Sequence, residues 1–471
     1  MTEYIKDFGW NSIAQAYKVL FSSLILIVLA RIIPVEAFGV IGMATVFVLF
    51  FNTLLNIGFD SSIIYSKTLK EKDLFSLFVL NIGVGILIYG IGYMIAPLLS
   101  LFYDNDEIQI IFRALILSVV LASAGVVSKG YLQKKLEFKK LAIVDLISIT
   151  LAGLVALAVA LNGYGYWALI WQQLLTVGLI SIGYLSISYK SIFKSIEFSF
   201  GVLKEHLRFG YNVLIFNISN FFAQQLDVLL IGKFLGEREL GIYMLAFNLI
   251  IKPISLLVQV FNKTLYPILT GLKFELVSHK YAQYTYRFFI IFTPLIIIGV
   301  SLSQIVIPYL LTDKWISTLP LLIVFGYQAI RMILASPSGL LFLISGNPDK
   351  QWKFSIYISL PLRLAGIFMG YLMFKSSLGI AVGINFFATI EMLAGFYLTF
   401  RLIKLDIKSY FFQFRKEFIE FIVLVSLLVI LNLKVDDFIV LLSLQVVLFL
   451  AYELVKWKKQ IKLLSIFKTD K

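Results

Sequence analysis

ARIIPVEAFGVIGMA, residues 30–44, and GKFLGERELGIYMLA, residues 232–246, are one pattern written twice, 202 residues apart. In that register Arg31 falls on Lys233, Gly39 on Gly241 and Ala44 on Ala246. Farther along, the offset drifts to 213 through loop insertions. There Leu121-Ala122-Ser123 falls on Leu334-Ala335-Ser336, and Leu151-Ala152-Gly153 on Leu364-Ala365-Gly366. Each tripeptide is weak alone, but their order along the chain is that of an internal duplication, a common build of membrane transporters.

Both copies lie among long apolar runs. A helix needs about 20 apolar residues to cross a bilayer, and fourteen runs of that kind can be read. They are 10–31, 38–59, 74–101, 110–130, 141–162, 166–188, 207–231, 241–266, 287–311, 318–344, 354–374, 378–401, 417–433 and 437–456. Kinks are expected at Pro97, Pro253, Pro294, Pro337 and Pro361. The duplication makes six spans the repeat unit. An even number of crossings leaves both halves in the same orientation, related by rotation about the membrane normal. The predicted fold is all-α and integral to the membrane: an N-lobe of spans 1–6 (residues 1–205), a C-lobe of spans 7–12 (206–402), then two extra helices and a basic tail (403–471).

Composition narrows the function classes. The chain is 60% apolar and 14% charged, against roughly 45–50% and about 25% in soluble proteins. Zero cysteines and two histidines (His206 and His279) exclude thiolate chemistry and most zinc or iron–sulfur sites. Gly232-Lys233 carries Asp227 where a phosphate loop needs its first glycine, so no ATP-binding motif is present. The start, MTEYIKDFGW, reads as a cytosolic lead-in rather than a signal peptide. The net charge of +14 could suggest nucleic acid, but its distribution argues otherwise. Of 41 Lys and Arg residues, 30 fall on the side holding the N-terminus and every even-to-odd connection, 7 on the opposite side, and 4 inside spans. That asymmetry places both termini in the cytoplasm and makes the basic surface a topology signal against the bilayer. Nucleic acid is not an expected partner.

Polar residues recur on single faces of the spans. Span 1 carries Asn11, Gln15, Lys18 and Ser22; span 7 carries Asn217, Asn220, Gln224 and Asp227. At offset 202, Gln15, Lys18 and Ser22 fall on Asn217, Asn220 and Gln224. Asn248, Lys252, Ser255 and Gln259 share a face of span 8, and Asn52 and Asn56 lie on span 2. Any one of them could be helix–helix glue; matched stripes in two lobes point to a hydrated cavity. The cations Lys18, Lys252, Arg331 and Arg363 lie within spans, where each costs roughly 2.5–3.5 kcal/mol if unpaired. Asp60, Asp145 and Asp227 lie near span ends, leaving Glu391 at matching depth. The cation excess points to an anionic substrate. Glu391, Asp227 and Asp145 are read either as counter-ions or as groups coupling transport to H⁺ or Na⁺. Gly366-x-x-x-Gly370 and Gly379-x-x-x-Gly383 suit close helix packing.

The segments LARIIPVEAFGVIGMA (29–44), NGYGYWALIWQQL (162–174) and LDVLLIGKFLGERELGIYMLA (226–246) resemble the polysaccharide-transporter family. This is the Wzx-like oligosaccharide flippase group of the MOP superfamily, near its colanic-acid-exporter-like branch. The resemblance implies a two-lobed MOP fold in a bacterial inner membrane. It implies flipping of an undecaprenyl-pyrophosphate-linked oligosaccharide between leaflets, with a cationic cavity that Lys18, Lys252, Arg331 and Arg363 would line. It implies no cofactor and no bond-making chemistry, with a polymerase and other glycan-assembly proteins as working partners. An ion-coupled multidrug exporter and a lipid II flippase are the alternatives on the same fold. A membrane glycan polymerase would need a sizeable external loop, which the short odd-to-even connections do not offer.

Overall fold

A computed structural model of the chain describes residues 2–55, 63, 73–198, 200–434 and parts of 440–452. The described residues are helical almost throughout. In chain order the helices are α1 (Thr2–Ile32), α2 (Val35–Leu55), α3 (Leu74–Tyr103), α4 (Glu107–Lys134), α5 (Phe138–Leu161) and α6 (Trp167–Ile192). A 71-residue stretch, Phe200–Thr270, follows; it breaks at Gly236 into arms that we name α7 (200–235) and α8 (237–270). Then come α9 (Phe274–Leu311), α10 (Leu319–Ala335), α11 (Ser338–Ile344), α12 (Pro348–Phe354), α13 (Leu360–Phe374), α14 (Ser377–Leu402), α15 (Ile407–Phe412) and α16 (Arg415–Lys434). Ten stretches among the described residues are long and apolar enough to cross a membrane, and this is a multi-pass membrane protein.

A helix stands at each of the first thirteen predicted spans, with α10–α11 forming the tenth and α12–α13 the eleventh. The fourteenth, 437–456, lies largely outside the described residues. Helices run farther than the apolar runs do. The 267–286 connection, expected as a loop, is helical apart from residues 271–273. At 1.5 Å per residue the 38 residues of α9 would span about 57 Å, well beyond a hydrocarbon core of about 30 Å. Polar residues such as His279 and Lys280 do not end a helix in water; they end only its apolar signal. Pro97, Pro253 and Pro294 sit inside continuous helices. The interruption falls at Pro337, between α10 and α11. Before Pro361 the chain widens into a π-turn, Ser355–Ser359. That turn surrounds Tyr357, four residues back, whose carbonyl a proline ring would otherwise strike.

The duplication is visible in the backbone. In the 202-residue register Pro34 matches Gly236, and these are the two positions where helix gives way: α1 ends and α2 begins around Pro34, and Gly236 takes φ 82. Proline breaks the first by lacking an N–H, glycine the second by entering a region that side chains disfavour.

The chain forms two compact units, Met1–Met244 and Leu245–Lys471. The first therefore includes α7 and the opening turns of α8. Those turns pack on α2: a Cβ on Gly39 would collide with the Glu237 carbonyl oxygen, and one on Gly241 with that of Val35. Glu237 is the repeat match of Val35, so each glycine seats the backbone of the other copy. In the second unit α13 and α14 cross just as closely. A Cβ on Gly370 would strike the Gly379 carbonyl, and one on Gly383 that of Gly366, which bears out the packing role read from the paired G-x-x-x-G spacings.

Candidate functional site

In the second unit, α10, α13 and α14 bring together charged and amide side chains. Arg331 on α10 is half-buried, and its Nη1 donates to the Ala388 carbonyl on α14 at 3.2 Å. Its Nε is buried with no hydrogen-bond partner. Glu391 on α14 and Arg363 on α13 lie within electrostatic range of it, and both are half-buried. Beside them Asn385 Nδ2 reaches Gln328 Oε1 at 3.3 Å, and the Tyr327 and Thr389 hydroxyls are 2.7 Å apart. The spacing that builds this is helical: Tyr327, Gln328 and Arg331 share one face of α10, and Asn385 and Thr389 one face of α14. Two arginines and one glutamate make this a charged site. It can hold an anion by charge-assisted hydrogen bonds and hydroxyl-bearing groups through its amides.

The other predicted residues are placed as follows. Lys252 and Gln259 on α8 are exposed and Asn248 is half-buried. In the first unit, Gln15 and Lys18 on α1 are half-buried and Gln224 on α7 is exposed. Asn52 on α2 is half-buried, and its amide donates to the Val48 carbonyl of its own helix at 3.1 Å. Asn56 lies outside the described residues, as do the side chains of Asn217 and Asn220. Asp145 accepts from the Tyr184 hydroxyl at 2.5 Å, α5 to α6. Asp227, 2% exposed, accepts from the Tyr243 hydroxyl at 2.6 Å, α7 to α8. A phenol on each carboxylate pins two neighbouring helices together. Among the described residues no cluster of three or more His, Asp or Glu could hold a metal ion.

The sequence reading missed Gln328, Asn385, Tyr327 and Thr389 around Arg331, although Tyr327 and Gln328 stand four and three residues before Arg331 and Asn385 four before Thr389. It also set Arg287 and Glu417 at the first positions of their predicted spans, as wet span edges. Both are fully buried, at 2% and 1% exposure, and the Tyr286 hydroxyl on α9 donates to Glu417 on α16 at 2.5 Å.

The fold describes a multi-pass transport protein of the bilayer. The chain belongs to the family described as "Polysaccharide biosynthesis protein", whose profile matches residues 28–320. It is 26% identical over 376 residues to the teichuronic acid biosynthesis protein TuaB of Bacillus subtilis (strain 168), covering 79% of this chain and 77% of that one. It is 24% identical over 356 residues to the lipopolysaccharide biosynthesis protein WzxC of Escherichia coli (strain K12), covering 74% and 71%. In fold it matches the lipid II flippase MurJ in an inward closed conformation, with a TM-score of 0.68 at 14% identity over 96% of this chain and 99% of that one. A multidrug resistance MATE family transporter of the MOP superfamily, inward-facing, gives 0.64 at 15% identity over 82% and 94%.

Proposed function

We propose that the protein flips an undecaprenyl-pyrophosphate-linked oligosaccharide across the bacterial inner membrane by alternating access. The observation that carries this reading is the excess of cation at membrane depth: Arg331 leans on α14 with Arg363 and Glu391 in range. A pyrophosphate would be held by the two arginines through charge-assisted hydrogen bonds. The exposure of Lys252, midway along a predicted crossing, supports it. Charged side chains within spans usually turn toward protein or a water-filled space rather than lipid. Gln328 and the exposed Gln259 carry the donors and acceptors that sugar hydroxyls require.

The lobes of this reading are residues 1–205 and 206–402, with 403–471 appended, and both termini face the cytoplasm. The prenyl tail stays in lipid while the headgroup crosses. No bond is made or broken, so none of the residues is catalytic. Glu391, Asp227 and Asp145 are the acids available for H⁺ or Na⁺ coupling. A multidrug exporter of the same fold acting on cationic compounds would be poorly served by a site with two arginines.

The test is leaflet exchange of a labelled prenyl-pyrophosphate oligosaccharide in reconstituted vesicles. Arg363→Ala and Lys252→Ala should abolish exchange while protein amount in the vesicles is unchanged. Normal exchange in both variants would end the anion-site reading, and no exchange by the parent above empty vesicles would end the flippase reading.

A further inference from the structure

The crossing of α2 and α8 joins positions that the repeat makes equivalent. Gly39 matches Gly241, and each lies on the carbonyl opposite; Glu36 matches Arg238, and these two form an ion pair at 3.8 Å. Gly42 matches Met244, whose side chain fills the space above it. Ionisable groups ring this contact. Asn105 Nδ2 donates to Glu237 Oε2 at 2.7 Å, and Lys233 pairs with Asp104 at 3.6 Å. Glu107, Glu36 and Asn105 act on Glu237 directly; the other ionisable groups on the segments that meet here are Arg31 at the α1–α2 break, Asp104 and Asp106 at the α3–α4 turn, Lys233 on α7, and Arg238 and Glu239 on α8. All of this lies at the odd-to-even connections, the side opposite the termini in the predicted topology.

A contact whose closest approaches are backbone against glycine, at Gly39 and Gly241, can be very tight yet has few side chains to disentangle, which suits surfaces that part and meet again. We infer that the α2–α8 crossing is a proton-sensitive latch on the external side, with Glu237 as its sensor: the helices hold together when that carboxyl gains a proton and loosen when it loses it. The inference rests on the alternating-access reading for what the latch gates. Its chemistry is local. Glu237 sits between the predicted crossings 207–231 and 241–266. Burial first, then the Glu107 and Glu36 carboxylates, push its acid dissociation up from the usual range, and the Asn105 hydrogen bond opposes them. Parting α2 from α8 would return Glu237 to water and remove Glu36. The packed state is thus the one with the raised value and binds the proton more tightly. Linkage gives the sign: packing is favoured as external pH falls and is lost as pH rises through that raised value. The Glu36–Arg238 pair alone, exposed on both sides, would contribute little; the glycine seats set the geometry and Glu237 sets the bias.

The chain has no cysteine, so spin labels can be placed on it without background. Ile32 and Phe234 are matched positions just before the two breaks, and both are exposed. Double electron–electron resonance on I32C/F234C in lipid nanodiscs, without substrate, should show a several-fold rise in the short-distance population from about pH 8 to about pH 5. Glu237→Gln should hold the short distance across that range, and Gly39→Ala should hold the long one. A pH-independent distribution in the otherwise native chain, or an unchanged pH response in Glu237→Gln, would overturn the latch. No substrate enters the measurement, so a flat result beside normal leaflet exchange overturns the latch and spares the flippase. A pH-responsive latch in a protein that exchanges nothing does the reverse.

Discussion

Two glycine crossings, one in each unit, use the same device to different ends. At α13–α14 the seats Gly366, Gly370, Gly379 and Gly383 join helices that follow one another in sequence, and a short turn at Lys375–Ser376 already holds them. At α2–α8 the seats Gly39 and Gly241 join helices some 200 residues apart, and charged groups ring the contact. The first crossing is a permanent weld: α14 then presents Ala388 and Glu391 to Arg331, and a shifting platform could not hold that geometry. The second has the composition of a contact that opens. Close packing therefore does not by itself mark a rigid joint; what surrounds it decides.

Breaking the weld should have the largest effect. Gly383→Val drives a branched side chain into the Gly366 backbone, where overpacking costs typically 1–3 kcal/mol and more when backbone must move. The expected outcome is loss of folded protein, read as membrane-extracted yield and melting temperature. The smaller change Gly39→Ala at the opening contact should leave yield near normal. It should cut surface glycan, measured in cells, by an order of magnitude or more, because the helices fold but no longer seat. If both variants lost protein equally, the distinction between the crossings would fall. The smallest effect belongs to Glu36→Gln: an exposed pair is worth about 0–1 kcal/mol, so melting temperature should move by no more than a degree or two and export should persist.

How much of this the sequence disclosed depends on the kind of interaction. The repeat register was legible, and with it the gaps between spans at 32–37 and 232–240; the exact breaks at Pro34 and Gly236 came from the backbone. The paired G-x-x-x-G spacings were legible as a packing face. That α2 meets α8 was not legible, since a pairing across some 200 residues leaves no periodicity in either helix. Arg331, Arg363 and Glu391 stood out because charge in an apolar run is costly wherever it lies. Gln328 and Asn385 did not, because an amide in a span is equally at home gluing helices. Arg287 and Glu417 were lost to a different cause: hydropathy marks helix ends as wet, yet a neighbouring helix can cover them.

The pairing of Glu36 with Arg238 has a consequence for how such a chain can arise. Where an isologous two-fold contact brings a residue onto its own counterpart, identical subunits must place like beside like. A homodimer of the first repeat would set Glu36 against Glu36 and repel itself at that point. Fusion of the two copies into one polypeptide removed the constraint, letting one side become basic while the other stayed acidic. The attraction between these two matched positions is therefore a property that only the joined, diverged pair can have.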